Sequence, residues 1–385
     1  MSEQKPLPQI ETIFPGLYIH IPFCRSKCPY CDFYSIASST LIPRWLESLK
    51  KEMSLYRDKF SSFDTVYIGG GTPSFLDIST IYKILGLIEE NYKVIEGAEI
   101  TIEANPGDLS SEKIYGIKGS GINRINLGVQ SFNDDELFFL GRLHRAVDSR
   151  KVLNALGKAG FDNIGIDLIY GLKDQSFKDW LKTLERAVSF DPEHISCYQL
   201  TIEGKTVFNA MKNKGELEEF PEDTASRFFL ETSDFLEQQG YIHYEVSNFA
   251  KSPELRSRHN RKYWQRIPYL GLGPSVHSFD GKKRWWNYRS VKKYCTSLEC
   301  GKQPVEDSEV LTEEQEVLEK VYLGLRTVEG IIVDDLADLP GIDERLASLE
   351  STGHVRKTGN RIIPTKKGLL VADRLPLYII DQDSL

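Results

Sequence analysis

Tyr18-Ile-His-Ile-Pro-Phe-Cys24-Arg-Ser-Lys-Cys28-Pro-Tyr-Cys31 places three cysteines within eight residues, spaced C-x3-C-x2-C, directly behind a short apolar run. An apolar run of that length reads as a strand, and the cysteines then fall on the loop that follows it. Three thiolates on one loop can hold three irons of a [4Fe–4S] cluster, whereas ligation by protein usually takes four. The remaining cysteines, Cys197, Cys295 and Cys300, are distant in sequence, and Cys197 falls in an expected strand. The fourth iron would then be open, like the free position of a catalytic metal site. Two plainer readings stand beside this one: a zinc site completed by His20 or His277, and chance clustering of packing cysteines. Six cysteines in 385 residues are too few for a disulfide framework.

Outward from this loop, residues 16 to about 246 alternate short apolar runs with longer amphipathic stretches, the pattern of βα units around a parallel sheet. Strands are expected at 16–22, 65–68, 99–103, 124–129, 164–169 and 194–200. The first helix carries Trp45, Leu49 and Met53 on one stripe. A later one should run over 221–239, with Asp223 or Thr224 as N-cap and Gly240 as the stop. The expected fold class is α/β, and six units fit a partial or complete β/α barrel better than an open doubly wound sheet. Nearly every strand ends in a polar or glycine-rich motif. After the cysteines come GGGTPS at 69–74, EANP at 103–106, GVQSF at 128–132, DLIYGL at 167–172 and YQLTIE at 198–203. Parallel barrels build their sites from the loops at the carboxyl ends of their strands, so these motifs should share one mouth.

Beyond residue 250 the alternation stops. Residues 251–303, with HNRKYW at 259–264, PYLGLGPSVHSF at 268–279 and KKRWWNYR at 282–289, read as an aromatic and basic connecting segment. Residues 304–385 read as a smaller α+β domain. It should hold an amphipathic stretch at 311–325, a short helix at 343–351, a hairpin turning at 358–360 and a last helix at 368–375, suggesting a winged-helix-like module. The barrel core is assigned to 10–250.

Composition narrows the classes. With 40% hydrophobic and 27% charged residues the chain reads as globular, excluding disordered and collagenous classes. Lys and Arg number 48 against 56 Asp and Glu, a net charge of −8, so nucleic acid is not expected as the principal partner. No uncharged apolar run approaches the ~18 residues needed to span a bilayer, and the start shows no apolar signal segment. A cytoplasmic protein is expected, with no transmembrane segment and with peripheral membrane contact left open.

With these motifs in place, the chain resembles the radical S-adenosylmethionine (SAM) proteins, whose signature is C-x3-C-x2-C on the loop after the first strand. The resemblance extends over nearly the whole chain to the group containing oxygen-independent coproporphyrinogen III oxidase and the HemW-type haem chaperones. YIHIPFC, GGGTPS, GVQSF, DLIYGL, YEVSNFA and HNxxYW all recur, in order. It implies a partial (β/α)6 barrel, with Cys24, Cys28 and Cys31 holding a [4Fe–4S] cluster. SAM would chelate the open iron, and electron transfer from the cluster would cleave it to methionine and a 5′-deoxyadenosyl radical. Tyr18 and Tyr30 would flank cluster and SAM. Gly69, Gly70 and Gly71, with Thr72, would let backbone amides approach the SAM carboxylate and amine. Glu103 would hold the SAM ammonium. Gln130, Arg142, Asp167 and Thr201 match positions around a second SAM molecule in the oxidase. Taken singly, GGGTP would read as a tight turn, and Gln130 or Asp167 as a capping residue.

Within the group, two features separate this chain from the oxidase. The oxidase has a further cysteine two residues after the third; here that position is Phe33. The first strand also begins within about twenty residues of Met1, leaving no room for the oxidase's N-terminal extension. HNxxYW, intact from His259 to Trp264, marks the chaperones. An imidazole can ligate haem iron, aromatic rings stack on a porphyrin and Lys or Arg pair with propionates. His259 and His277 are therefore the expected haem ligands, although a lone histidine is more often structural. The expectation is a haem chaperone with haem as cargo, acceptor haemoproteins and an electron donor as partners. The alternatives are the oxidase, converting coproporphyrinogen III to protoporphyrinogen IX, and, disfavoured by the acidic balance, an RNA-modifying radical SAM enzyme.

Overall fold

Alternation along Gly16–Ile21 (β1) sets the two faces of the molecule: Leu17, Ile19 and Ile21 are fully buried on one side, while Tyr18 and His20 point to the other. The same division recurs in Ser62–Gly70 (β2), Lys93–Ala104 (β3), Arg124–Gln130 (β4), Ile164–Tyr170 (β5) and His194–Gln199 (β6). These six strands pair in chain order, all parallel. Val66, Ile102, Leu127 and Ile166 join the core beneath the outer helices, among them Ile42–Tyr56, whose Trp45, Leu49 and Met53 are fully buried as the periodicity predicts. Paired register puts Tyr67 beside Tyr18, then Glu103 beside Asn126, and Asp167 beside Gly128 and Ser196, on the inner face. The structure, a computed structural model, describes residues 13–337 and 339–380, so the expected limits at residues 10 and 385 lie outside the described residues.

The sheet does not stop at β6. Ile242–Glu245 (β7) and Asn248–Ala250 (β8) extend one edge, with β8 antiparallel to β6. Tyr269–Leu272 (β9) pairs parallel with β1, and His277–Phe279 (β10), Lys283–Asn287 (β11) and Val305–Val310 (β12) follow antiparallel. The result is one twelve-stranded sheet with β12 and β7 as its two end strands, an open barrel. Residues expected to be a connecting segment thus supply three strands of the main sheet, and β12 carries it past residue 304. Leu270, Leu272 and Trp285 are buried on the outer face, so these strands share the barrel's core.

A second core is built from Val321, Leu325, Ile331, Leu346, Leu349, Val355 and Ile362. Glu313–Gly324 and Ile342–Ser351 are its main helices, and Ile331–Ile332 (β13), Val355–Thr358 (β14) and Arg361–Pro364 (β15) form a three-stranded antiparallel sheet with β15 central. The hairpin turns where the sequence predicts. The expected last helix instead divides into Lys366–Leu370 and Leu375–Ile379, because Pro376 fits only the first turn of a new helix. The helix Glu222–Gln238 begins after Pro221, not at Asp223 or Thr224, and ends at Gly240 with φ +87°.

Candidate functional site

The cysteine loop is tied at its base by two backbone bonds: Ile36 N to Pro22 O at 2.9 Å and Cys24 N to Ile36 O at 3.1 Å. Cys24 is buried, and Cys28 and Cys31 are half-buried. Burial pushes the Cys31 thiol up, and the neighbouring Cys28 and Cys24 add to it, so three sulfurs share one small region. Among the described residues, no three His, Cys, Asp or Glu side chains converge as ligands of a single ion would. Three thiolates on one loop, each able to take a separate iron, are a donor set that suits a [4Fe–4S] cluster. His20 is engaged within the protein: Tyr18 Oη lies 3.2 Å from Nδ1 and Tyr34 O lies 2.8 Å from Nε2, and burial lowers its pKa to about 4.

The glycine motif lies directly under this loop. A Cβ on Gly71 would sit 2.7 Å from Phe23 O and 3.0 Å from Cys24 Sγ, and Gly70, at φ +110°, would meet His20 Nδ1 at 2.4 Å. Close approach is therefore what these glycines serve. Their amides are engaged within the protein: Gly71 N donates to Ile21 O at 2.7 Å and Gly70 N to Glu103 Oε2 at 3.0 Å. Thr72 is buried, and its hydroxyl donates to Cys24 Sγ at 3.4 Å.

Glu103, at the end of β3, also accepts from Tyr67 Oη at 2.8 Å. Burial pushes its carboxyl up to about 7, with the Asp167 charge adding and the two donated hydrogen bonds opposing. Asp167 is likewise raised by burial and is held by Asn126, whose amide donates to both oxygens at 2.9 and 2.8 Å. Gln130 ends β4 at φ +66°, an uncommon backbone for a residue with a side chain, at a register shift opposite β5. Arg142 reaches Tyr30 Oη at 3.5 Å and Cys28 Sγ at 3.7 Å.

Cys28, Tyr30, Thr72 and Arg142 thus form one group at the loop, and Glu103 and Asp167 a second one deeper in the barrel. Tyr18 adjoins the second: its ring packs near Tyr67, the Glu103 donor, at 6.0 Å and is stacked with His259 at 6.3 Å. Thr201 is exposed and lines a separate cavity of about 350 Å³ with Gly171, Leu200 and Phe220.

The two histidines part company. His259 is 1% exposed, and both ring nitrogens are committed, Nδ1 to Thr65 Oγ1 and Nε2 to Tyr263 Oη, each at 2.9 Å. Its backbone N–H donates to Glu99, near the amino ends of the strands and away from the cysteine loop. It is not available to haem iron, and that expectation is corrected: the HNxxYW helix, Arg258–Trp264, closes the barrel's base. His277 is exposed on β10 with its ring stacked on Trp286, centroids 5.6 Å apart. Sequence reasoning missed Asn105, Asn126 and Trp286. The first stands in the quoted EANP, but an asparagine carries no periodic signal of its partners.

The radical SAM superfamily pattern matches residues 18–187. The chain is 36% identical over 354 residues to the haem chaperone HemW of Synechocystis sp., covering 88% of this chain and 85% of that one. It is 34% identical to HemW of Bacillus subtilis, covering 93% and 97%, and 32% identical to HemW of Mycobacterium tuberculosis, covering 93% of each. In fold it is similar to the coproporphyrinogen III oxidase HemN of Escherichia coli, with a TM-score of 0.81 at 23% identity over 96% of this chain and 90% of that one. With the C-x3-C-x2-C loop at the mouth of an open parallel barrel, the chain belongs to the HemW haem chaperone family of the radical SAM superfamily.

Proposed function

We propose that the protein is a haem chaperone with a radical SAM core, binding a [4Fe–4S] cluster, SAM and haem, and passing haem to acceptor haemoproteins. Likeness to curated haem chaperones along 93% of the chain, two of them at 34% and 32% identity, is the observation that carries this reading. Cys24, Cys28 and Cys31 would hold the cluster, which when reduced supplies an electron to the sulfonium of SAM. Glu103, buried and pushed up to about 7, gains most from a cationic partner, which fits it to the SAM ammonium. Tyr30, Thr72, Gln130 and Arg142, Asp167 beside Glu103, and Tyr18, Gly70, Gly71 and Thr201 would complete the SAM site.

For haem, the reading falls on His277. Partial burial and the Arg284 cation lower its pKa, so the imidazole is neutral at pH 7, as ligation of iron requires. Trp286 offers a stacking face beside it. The partners required are an electron donor and an acceptor haemoprotein. We place the protein in the reducing cytoplasm, with peripheral membrane contact open to it; no helix among the described residues is long and apolar enough to cross a membrane. Haem titration of the reconstituted protein tests the assignment: a saturable Soret band at about one haem per chain is expected, and absence of saturable binding would overturn it.

A further inference from the structure

Arg142 is partly buried behind the cysteine loop and, among the described residues, has no carboxylate partner. Its guanidinium instead meets Asn105 Oδ1 at 2.5 Å, Gly128 O at 3.0 Å, Tyr30 Oη at 3.5 Å and Cys28 Sγ at 3.7 Å. A desolvated cation held only by neutral groups lacks a counter-charge, and the sulfur in contact with it is one of the three cluster ligands. Asn105 has a second contact. Its Nδ2 donates to Thr72 Oγ1 at 3.3 Å, and the Thr72 hydroxyl donates on to Cys24 Sγ at 3.4 Å. The Asn105 backbone is fixed in turn, its N–H donating to Ser74 Oγ at 2.9 Å. One amide therefore orients the donors to two of the three thiols.

We propose that Arg142, Asn105 and Thr72 act as one hydrogen-bonded relay that sets the reduction potential of the cluster. This rests on the assignment of Cys24, Cys28 and Cys31 as cluster ligands. In the couple, [4Fe–4S]2+ takes up one electron to become [4Fe–4S]+, with no bond formed or broken. The added negative charge spreads onto the sulfurs. Donors and positive charge at those sulfurs stabilise the reduced form and raise the potential. Arg142 supplies both to Cys28, and Thr72 supplies a neutral donor to Cys24, so the arginine has the larger effect. Asn105 is a positioning residue, since it touches neither sulfur and acts through the two that do.

Potentiometric titration of the anaerobically reconstituted protein with dithionite, read by EPR, tests this with Arg142→Ala, Arg142→Lys and Thr72→Val. At the wild-type midpoint, the ratio of reduced to oxidised cluster should fall about tenfold or more in Arg142→Ala, which for one electron is about 59 mV. Thr72→Val should shift in the same direction by less, and Arg142→Lys should recover most of the loss. Iron and sulfide are assayed first. Wild-type protein that takes up no cluster contradicts the ligand assignment. Loaded Arg142→Ala with an unchanged midpoint overturns the relay alone. Where Arg142→Ala does not load, Thr72→Val decides: an unchanged midpoint there overturns the relay.

Discussion

His259 and His277 lie in the same aromatic, basic stretch and differ chiefly in what surrounds them. Replacing His259 by Ala leaves the hydroxyls of Thr65 and Tyr263 without their shared partner, so denaturant unfolding should show a loss of about 1–3 kcal/mol. Haem uptake per folded chain should be unchanged. His277→Ala should do the reverse, removing the Soret band while altering stability by no more than about 0.5 kcal/mol. Sequence could not separate the two, because each has aromatic neighbours; only the register of β10 against β11 and the docking of Arg258–Trp264 on β2 and β3 do so. The cysteines were legible at once, since their spacing depends on no distant contact. Cys28→Ala should lose iron–sulfur absorption after anaerobic reconstitution, and exposed Cys300→Ala should keep it. Glu103 gives a pH test. With its carboxyl near 7, the anion that pairs with an ammonium is depleted as pH falls from 8 to 6, so SAM affinity measured calorimetrically should weaken across that window. Glu103→Gln should bind more weakly at pH 8 by about tenfold to a hundredfold, the equivalent of a lost charged hydrogen bond, and should show a flatter pH profile.

The six parallel strands were legible because each is an apolar run followed by a helix of clear periodicity. Strands β7 to β12 were not. They are three to six residues long, and where their inner face meets solvent it carries His277, Arg284 and Trp286 in place of a second apolar row. A buried carboxylate helps to hold the segment that follows β9 against the barrel's first helix. Glu52, on Ile42–Tyr56, accepts from Gly273 N at 2.8 Å, Tyr294 Oη at 2.6 Å and Asn287 Nδ2 at 2.5 Å. Glu52→Ala would strand three buried donors, and a loss of about 3 kcal/mol or more in denaturant unfolding is expected. Burial raises the Glu52 pKa to about 7, above its ordinary 4.5. The folded chain then binds the extra proton between these values, so this group's contribution to stability declines as pH rises through that window and is at its least favourable above 7. Thermal melts from pH 5 to 8 should show the decline, with a smaller slope in Glu52→Gln.

At the scale of the whole molecule, the open barrel puts the cysteine loop and the inner face of β9 to β11 on one continuous sheet, with β9 joining them through β1. Haem on His277 and the cluster on Cys24, Cys28 and Cys31 would thus belong to one structural unit, while HNxxYW serves that unit by closing its base. The fold itself is common to an oxidase and to chaperones, so architecture does not choose between them. Haem transfer does. Protein reconstituted with cluster and SAM, loaded with stoichiometric haem and freed of excess, is mixed with an apo-haemoprotein, and the holo-acceptor spectrum is followed; coproporphyrinogen III is supplied to a parallel sample. The account predicts transfer of the haem to the acceptor and no protoporphyrinogen IX. Retained or unbound haem, together with steady conversion of coproporphyrinogen III, would contradict it.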